Sequence, residues 1–87
     1  MPAYLIAYDI VAARNRNGMA RKLEKIGKRI QKSVFVAQLT PDRAKNMERE
    51  LQLLLEKGDI LLILPLCETC YAKAVLYGKQ APAIFVG

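Results

Sequence analysis

The sequence predicts an α+β fold, an antiparallel sheet with two helices packed on one of its faces. Three observations carry this expectation. Apolar runs of strand length occupy residues 3–10, 30–39 and 59–65. Two segments between them repeat apolar side chains at helical spacing. The chain of 87 residues has room for one domain, and a domain of this size buries only roughly 60–65% of its unfolded surface.

The first run, Ala3-Tyr4-Leu5-Ile6-Ala7-Tyr8-Asp9-Ile10, is rich in strand-favouring tyrosine, leucine and isoleucine. A polar loop, Arg14-Asn15-Arg16-Asn17, then offers capping side chains to a helix over about 16–27. Met19, Leu23 and Ile26 form one apolar stripe on that helix, and Lys22 and Lys25, with Arg21 alongside, occupy the opposite face. Gly27 suits the left-handed residue that commonly ends a helix. Ile30 to Leu39 reads as one strand centred on Val34, Phe35 and Val36.

Thr40-Pro41-Asp42 combines a capping hydroxyl, a proline in the first turn and an early acid, a strong helix start. The helix carries Ala44, Met47, Leu51, Leu54 and Leu55 on one face and runs to Gly58. Asp59 to Pro65 is the next strand. A turn containing Cys67 and Cys70 follows, with a short element at Ala74–Tyr77 and a last strand at about 82–86. Read directly, the order is β-α-β-α-β with a tail that supplies further strand. Two amphipathic helices and four short strands give the ferredoxin-like β-α-β-β-α-β arrangement, a single domain over residues 1–87.

That arrangement covers one face of the sheet. The first and third runs are nevertheless apolar at nearly every position, without the alternation of a half-exposed strand. The hydrophobic fraction of 53% also exceeds what one small core needs. With no further helix to cover the open face, the pattern predicts a homodimer packed sheet against sheet. The strand at about 82–86 then pairs with its own sheet or crosses to the partner's.

Charge is concentrated. Residues 14–32 hold eight cations against one acid, Glu24, a net of +7 in a chain whose total is +6. Such a segment points to an anionic partner, nucleic acid first, with an ordinary solvated surface as the alternative. The candidate nucleic-acid-binding residues are Arg14, Arg16, Arg21, Lys22, Lys25 and Lys28. No apolar stretch reaches the ~20 residues of a membrane span. The N-terminal run lacks the basic region and cleavage site of a secretory leader, so a cytoplasmic protein is expected.

Several chemistries are disfavoured. The chain has no histidine to move protons near neutral pH. Its glycines are scattered rather than gathered in a phosphate loop, and Ser33, the lone serine, has no histidine to activate it. Cys67-Glu68-Thr69-Cys70 stands near the C-terminus, away from the N-terminal βαβ context of redox motifs. Four zinc ligands would require two chains. Small buried thiols in a tight turn are the expectation.

Asp9 stands out, because aspartate is depleted in strands and costly when buried unpaired. Period two puts it on the face of Leu5 and Ala7, opposite Tyr4, Ile6 and Tyr8. Three explanations are open. It caps the following loop, or pairs with Arg14, Arg16 or Arg29, or binds a divalent cation such as Mg²⁺, with Mn²⁺ as an alternative. One carboxylate is a poor site alone, but a two-fold axis near the strand end would bring two together.

Several segments resemble one known family. They are Tyr8-Asp9-Ile10 closing the first strand, the arginine-rich segment after it, Arg29-Ile30-Gln31-Lys32-Ser33-Val34-Phe35, and Pro65-Leu66-Cys67-Glu68-Thr69-Cys70. The family is the small CRISPR-associated adaptation protein, the ferredoxin-like partner of the CRISPR integrase, also described as a metal-dependent endoribonuclease. The resemblance runs from about residue 3 to 78. It implies a homodimer with Asp9 of each chain near a shared Mg²⁺, integrase subunits as partners, and contact with double-stranded DNA during spacer acquisition. It also implies cleavage of single-stranded RNA or double-stranded DNA, with Tyr8, Asp9, Arg16, Arg29 and Phe35 as the residues that matter for it. Where the family has a second basic residue after Arg16 this chain has Gly18, with Arg14 as a substitute, and Val36 stands where many members have glutamate.

The expected function is therefore integration of new spacer DNA with an integrase, together with Mg²⁺-dependent endonuclease activity. The alternatives are a non-catalytic nucleic-acid-binding scaffold and a stand-alone, toxin-like endoribonuclease.

Overall fold

Strand β1 (Ala3–Asp9) forms where tyrosine, leucine and isoleucine favour the extended chain, and it becomes an inner strand of a four-stranded sheet. The computed structural model describes residues 2–78. After β1 come α1 (Ala13–Glu24), β2 (Gly27–Gln31), β3 (Val34–Gln38), α2 (Pro41–Gln52), β4 (Ile60–Leu66) and a short α3 (Glu68–Ala72). The strand order is β2-β3-β1-β4, and every neighbouring pair is antiparallel. The expected ferredoxin-like arrangement is therefore what the chain adopts.

Tyr4, Ile6 and Tyr8 point to the helix side. There Ile6 and Tyr8 join Phe35 and Ala37 of β3, Met19, Ala20 and Leu23 of α1, and Ala44, Met47 and Leu51 of α2 in one core. Leu61 and Ile63 of β4 pack against it. Across the sheet the other face carries the rows Val36–Leu5–Leu64 and Val34–Ala7–Leu62, ending at Asp9 beside Ile60. Ala3 and Val36 are buried, but on β4 Ile60, Leu62 and Leu64 remain 60%, 49% and 45% exposed. A long edge strand with an apolar outer face is what monomeric proteins avoid.

The structure departs from the sequence expectations at five places. Residues 30–39 are not one strand. They belong to a hairpin in which β2 and β3 turn at Lys32-Ser33, with a register irregularity between Arg29 and Gln31. No described residue other than glycine takes positive φ, so this turn lacks the left-handed pair that marks the commonest two-residue hairpins.

Helix α1 begins at Ala13, so Arg14 to Asn17 are helical rather than a loop. Its N-cap, Ala12, supplies no side-chain bond. Tertiary bonds hold the start instead. Arg16 Nη1 donates to the carbonyls of Ile10 and Val11 at 3.3 Å each, Val11 N–H donates to Asp59 Oδ1 at 3.2 Å, and Asn15 Nδ2 donates to Glu56 Oε2 at 2.8 Å. Gly27 does not end the helix in a left-handed conformation. It starts β2, where a Cβ would lie 2.5 Å from the Val36 carbonyl oxygen.

The start of α2 is as expected, with Thr40 accepting from the Arg43 N–H. The helix stops at Gln52, and Leu54 and Leu55 stay on the core through tighter three-residue turns, Leu54 N–H to Leu51 O and Leu55 N–H to Gln52 O. Gly58 is left-handed, φ +92°, in the loop beyond. Finally, the regular element near the cysteines is α3, whereas residues 74–77 form none. The strand expected at about 82–86 lies outside the described residues. Among the described residues no helix is long and apolar enough to cross a membrane.

Candidate functional site

Asp9 is the last residue of β1, exposed, on the face away from the helices and opposite Ile60. Among the described residues its carboxylate has no hydrogen-bond or ion-pair partner. It does not cap α1, whose start has no side-chain cap. Nor does it pair with Arg14, Arg16 or Arg29, since the two ion pairs formed among the described residues are Lys22–Glu50 and Arg29–Glu24, both at 3.7 Å. Two of the three explanations for an acid at this strand end therefore fall. No group of three or more metal-ligating side chains gathers among the described residues. One chain thus presents a free hard-oxygen ligand, which fits half of a shared Mg²⁺ site and not a complete one.

Tyr8, as period two predicts, lies on the opposite face of the sheet from Asp9, and Phe35 lies there with it. Phe35 is fully buried and Tyr8 is 5% exposed, their rings stacked with centroids 6.3 Å apart and planes at 20°. Tyr8 Oη donates to the Lys32 carbonyl at 3.3 Å, and the Tyr8 N–H donates to the Ser33 carbonyl at 3.1 Å. Arg29 converges on the same turn, donating to the Lys32 carbonyl from Nε at 3.2 Å and Nη2 at 2.8 Å. Its guanidinium also sits 5.3 Å from the Phe35 ring centroid, a cation–π contact. Tyr8, Arg29 and Phe35 are thus brought together as the support of the β2–β3 turn, without Asp9.

Arg16 serves two places. Its bonds to the Ile10 and Val11 carbonyls fix the loop immediately after Asp9. It also lines, with Arg29, Lys32 and Ser33, an open depression of about 770 Å³ beside α1. Arg16 and Arg29, the two arginines expected to matter for cleavage, share this one depression.

The basic residues divide by orientation. Arg14, Arg21 and Lys25 follow one exposed stripe of α1, at helical spacing and free of ion pairs among the described residues. Lys22 turns toward α2 and Glu50, in a cleft of about 360 Å³ that Lys25 and Arg43 also line. Lys28 pairs in register with Val36, which places it on the open face of the sheet, away from the helices. The six cations therefore do not form one surface.

Sequence reasoning missed Asp59, which it placed as the first residue of a strand. Its carboxylate accepts from Val11 N–H and, at 2.8 Å, from Glu56 N–H, joining the loop before β4 to the loop after Asp9. Nothing local announces such a bond, which spans 48 residues. The cysteines also differ from expectation. Both are exposed, and Cys67 Sγ accepts from Cys70 N–H at 3.2 Å at the start of α3.

Comparison with known proteins agrees with this architecture. The family model described as CRISPR associated protein Cas2 matches residues 1–74. An endoribonuclease Cas2 of Chloroflexus aurantiacus is 35% identical over 81 residues, covering 91% of this chain and 87% of the relative. One from Archaeoglobus fulgidus is 32% identical over 75 residues, covering 84% and 80%. Among solved structures, a hypothetical protein of Thermus thermophilus superposes with TM-score 0.71 at 34% identity, covering 76% of this chain and 82% of that one. A chain of a partial Cas6-RT-Cas1–Cas2 complex superposes with TM-score 0.73 at 28% identity, covering 86% and 89%. With the family model spanning the whole sheet and its helices, this chain belongs to the CRISPR-associated Cas2 family.

Proposed function

We propose that this protein acts in CRISPR adaptation, as a homodimer that binds double-stranded DNA together with integrase subunits. In addition it cleaves phosphodiesters with the help of Mg²⁺ or Mn²⁺, the substrate being single-stranded RNA or double-stranded DNA. The observation that carries the nuclease reading is the carboxylate of Asp9, unpartnered among the described residues and exposed on the sheet face where β4 displays Ile60, Leu62 and Leu64. Pairing of two such faces sets two copies of Asp9 as the ligands of one site. The endoribonuclease names of the relatives and the likeness to a chain of the Cas1–Cas2 complex support the reading.

Bound between the two carboxylates, the ion would activate water and offset charge on the phosphate. The chain's own residues have separate tasks. Asp9 supplies the ligand, and Arg16 holds the Ile10–Val11 loop so that the strand end keeps its position. Arg29 and Lys32 line the depression that holds the backbone of the substrate. Tyr8 and Phe35, buried, act by keeping Arg29 and the turn in place.

Asp9→Asn tests this directly. Mg²⁺-dependent cleavage should vanish, while dimer formation and duplex binding stay near wild type. Cleavage by the purified variant at the wild-type rate would remove Asp9 from the mechanism. A second reading, a scaffold without catalysis, is favoured by Arg14, Arg21 and Lys25, which make no ion pair among the described residues whatever Asp9 does. Equal spacer acquisition by wild type and Asp9→Asn would select it.

A further inference from the structure

Free cysteine is among the most buried of residue types. Here two cysteines are exposed, three residues apart, at the junction of β4 and α3. Neither joins the core, and neither takes part in the site around Asp9. Cys67 occupies the N-cap of α3 in an extended conformation, φ −70° and ψ 158°. Serine, threonine, aspartate or asparagine would cap better, because thiol sulfur is a weak acceptor. Capping and packing therefore leave the pair unexplained.

The local geometry is that of a closable dithiol. Residues three apart on a helical turn have Cα atoms about 5 Å apart, inside the range of about 4.4–6.8 Å that a disulfide spans. Cys67 Sγ already lies over the first turn of α3, 3.2 Å from the Cys70 nitrogen. Both ends are anchored, Leu66 by its pairing with Ala3 and the turn by Tyr71 N–H donating to the Cys67 carbonyl at 2.9 Å. No third metal-ligating side chain joins the two sulfurs among the described residues.

We infer that Cys67 and Cys70 form a reversible dithiol–disulfide couple that reacts with low-molecular-weight disulfides of the glutathione class. Cys67 is the attacking residue, because the Cys70 N–H donates to its sulfur and the hydrogen bonding from Cys70 holds its pKa below that of an ordinary thiol. Cys70 is shifted the other way, by its hydrogen bond to Cys67 and then by the charge there, and it is the resolving thiol. The Cys67 thiolate attacks one sulfur of the small disulfide, forming a mixed disulfide and expelling one small thiolate. The sulfur of Cys70, giving up its proton, then attacks Cys67 Sγ. The mixed S–S bond breaks, and the second small thiolate leaves. The two protons lost by the protein end on the two small thiols, so the protein is oxidised by two electrons and the small disulfide reduced by two.

The test is mass spectrometry of the full chain after incubation with glutathione disulfide, beside Cys67→Ser and Cys70→Ser. Both positions are exposed, so the variants should fold, which far-UV circular dichroism checks. Wild type should become two hydrogens lighter without a retained adduct, and reduced glutathione should reverse the change. Cys70→Ser should stop at one glutathione adduct. Cys67→Ser should form its adduct more slowly, by on the order of threefold or more. A persistent adduct on wild type, a chain-to-chain disulfide, or equal rates in the two variants would overturn the assignment. So would thiols inert to glutathione disulfide that hold one zinc ion per two chains.

Discussion

Arg29 closes on the backbone carbonyl of Lys32 with two donors, Nε at 3.2 Å and Nη2 at 2.8 Å. That carbonyl belongs to the β2–β3 turn and also accepts from Tyr8 Oη. A turn without glycine or asparagine is thus set by side chains that reach it from β1 and β2. Tyr8, Arg29 and Phe35 are coupled in this support, which gives three of the expected nuclease residues a role in the fold itself.

Removing the Arg29 guanidinium should therefore cost stability before it costs chemistry. Hydrogen bonds to a charged group contribute about 1.5–3 kcal/mol when well sheltered, and exposure of Arg29 reduces this to about 1 kcal/mol. Arg29→Ala should lower the melting temperature by roughly 4–8 °C. Arg29→Lys should recover only part, because an ammonium does not reproduce the flat two-donor geometry. Thermal melts of the two variants check this, and an unchanged midpoint for Arg29→Ala would refute it. If cleavage falls while the midpoint holds, Arg29 acts through the substrate backbone alone and not through the turn.

Two glycines should respond to alanine with opposite signs. At Gly18, inside α1, an added Cβ would meet only Leu54 methyl carbons, at 3.8 and 4.0 Å. The better helix former should stabilise the protein by about 0.5–1 kcal/mol. At Gly27 the Cβ would lie 2.5 Å from a backbone oxygen of β3. The α1–β2 connection must then shift, at a cost of about 1–3 kcal/mol. Denaturant midpoints of Gly18→Ala and Gly27→Ala should move to opposite sides of wild type.

These positions also show what local sequence can and cannot disclose. The Thr40-Pro41 start of α2, the core stripe of Ala44, Met47 and Leu51, and the two-faced character of β1 follow from cap chemistry and periodicity, and the structure contains all of them. The start of α1 and the hairpin at Lys32-Ser33 were illegible for one shared reason. Each is held by partners distant in sequence, Asp59 and Glu56 in the first case and Tyr8 in the second. Asp9 was legible as an anomaly, and the structure removes its two ordinary explanations. The split of the basic segment was hidden, because Lys28 changes faces through strand register rather than helical spacing.

The proposed dimer rests on the outward side chains of β4. Ile60, Leu62 and Leu64 are each about half exposed, and covering that remaining surface is worth about 1 kcal/mol apiece in each protomer. Leu62→Lys with Leu64→Lys should yield a monomer at micromolar concentration by sedimentation while the far-UV spectrum is unchanged. A wild type that sediments only as monomer, or a double variant that still dimerises, would contradict the pairing.

Duplex binding should follow the orientation of the cations rather than their number. Each cation that neutralises a phosphate contributes about one unit to the slope of log affinity against log salt. Arg14, Arg21 and Lys25 point outward from α1 without ion pairs among the described residues, so alanine at each should flatten the slope by about one unit. Lys22 is already engaged by Glu50 at 3.7 Å, an exposed pair of small energy, and its removal should change the slope less. Lys28 lies on the far side of the sheet, and Lys28→Ala should leave the slope at the wild-type value. Titrations of a short duplex at several salt concentrations measure all five variants. An effect of Lys28→Ala as large as that of Arg21→Ala would move the DNA from the helix face to the sheet edge.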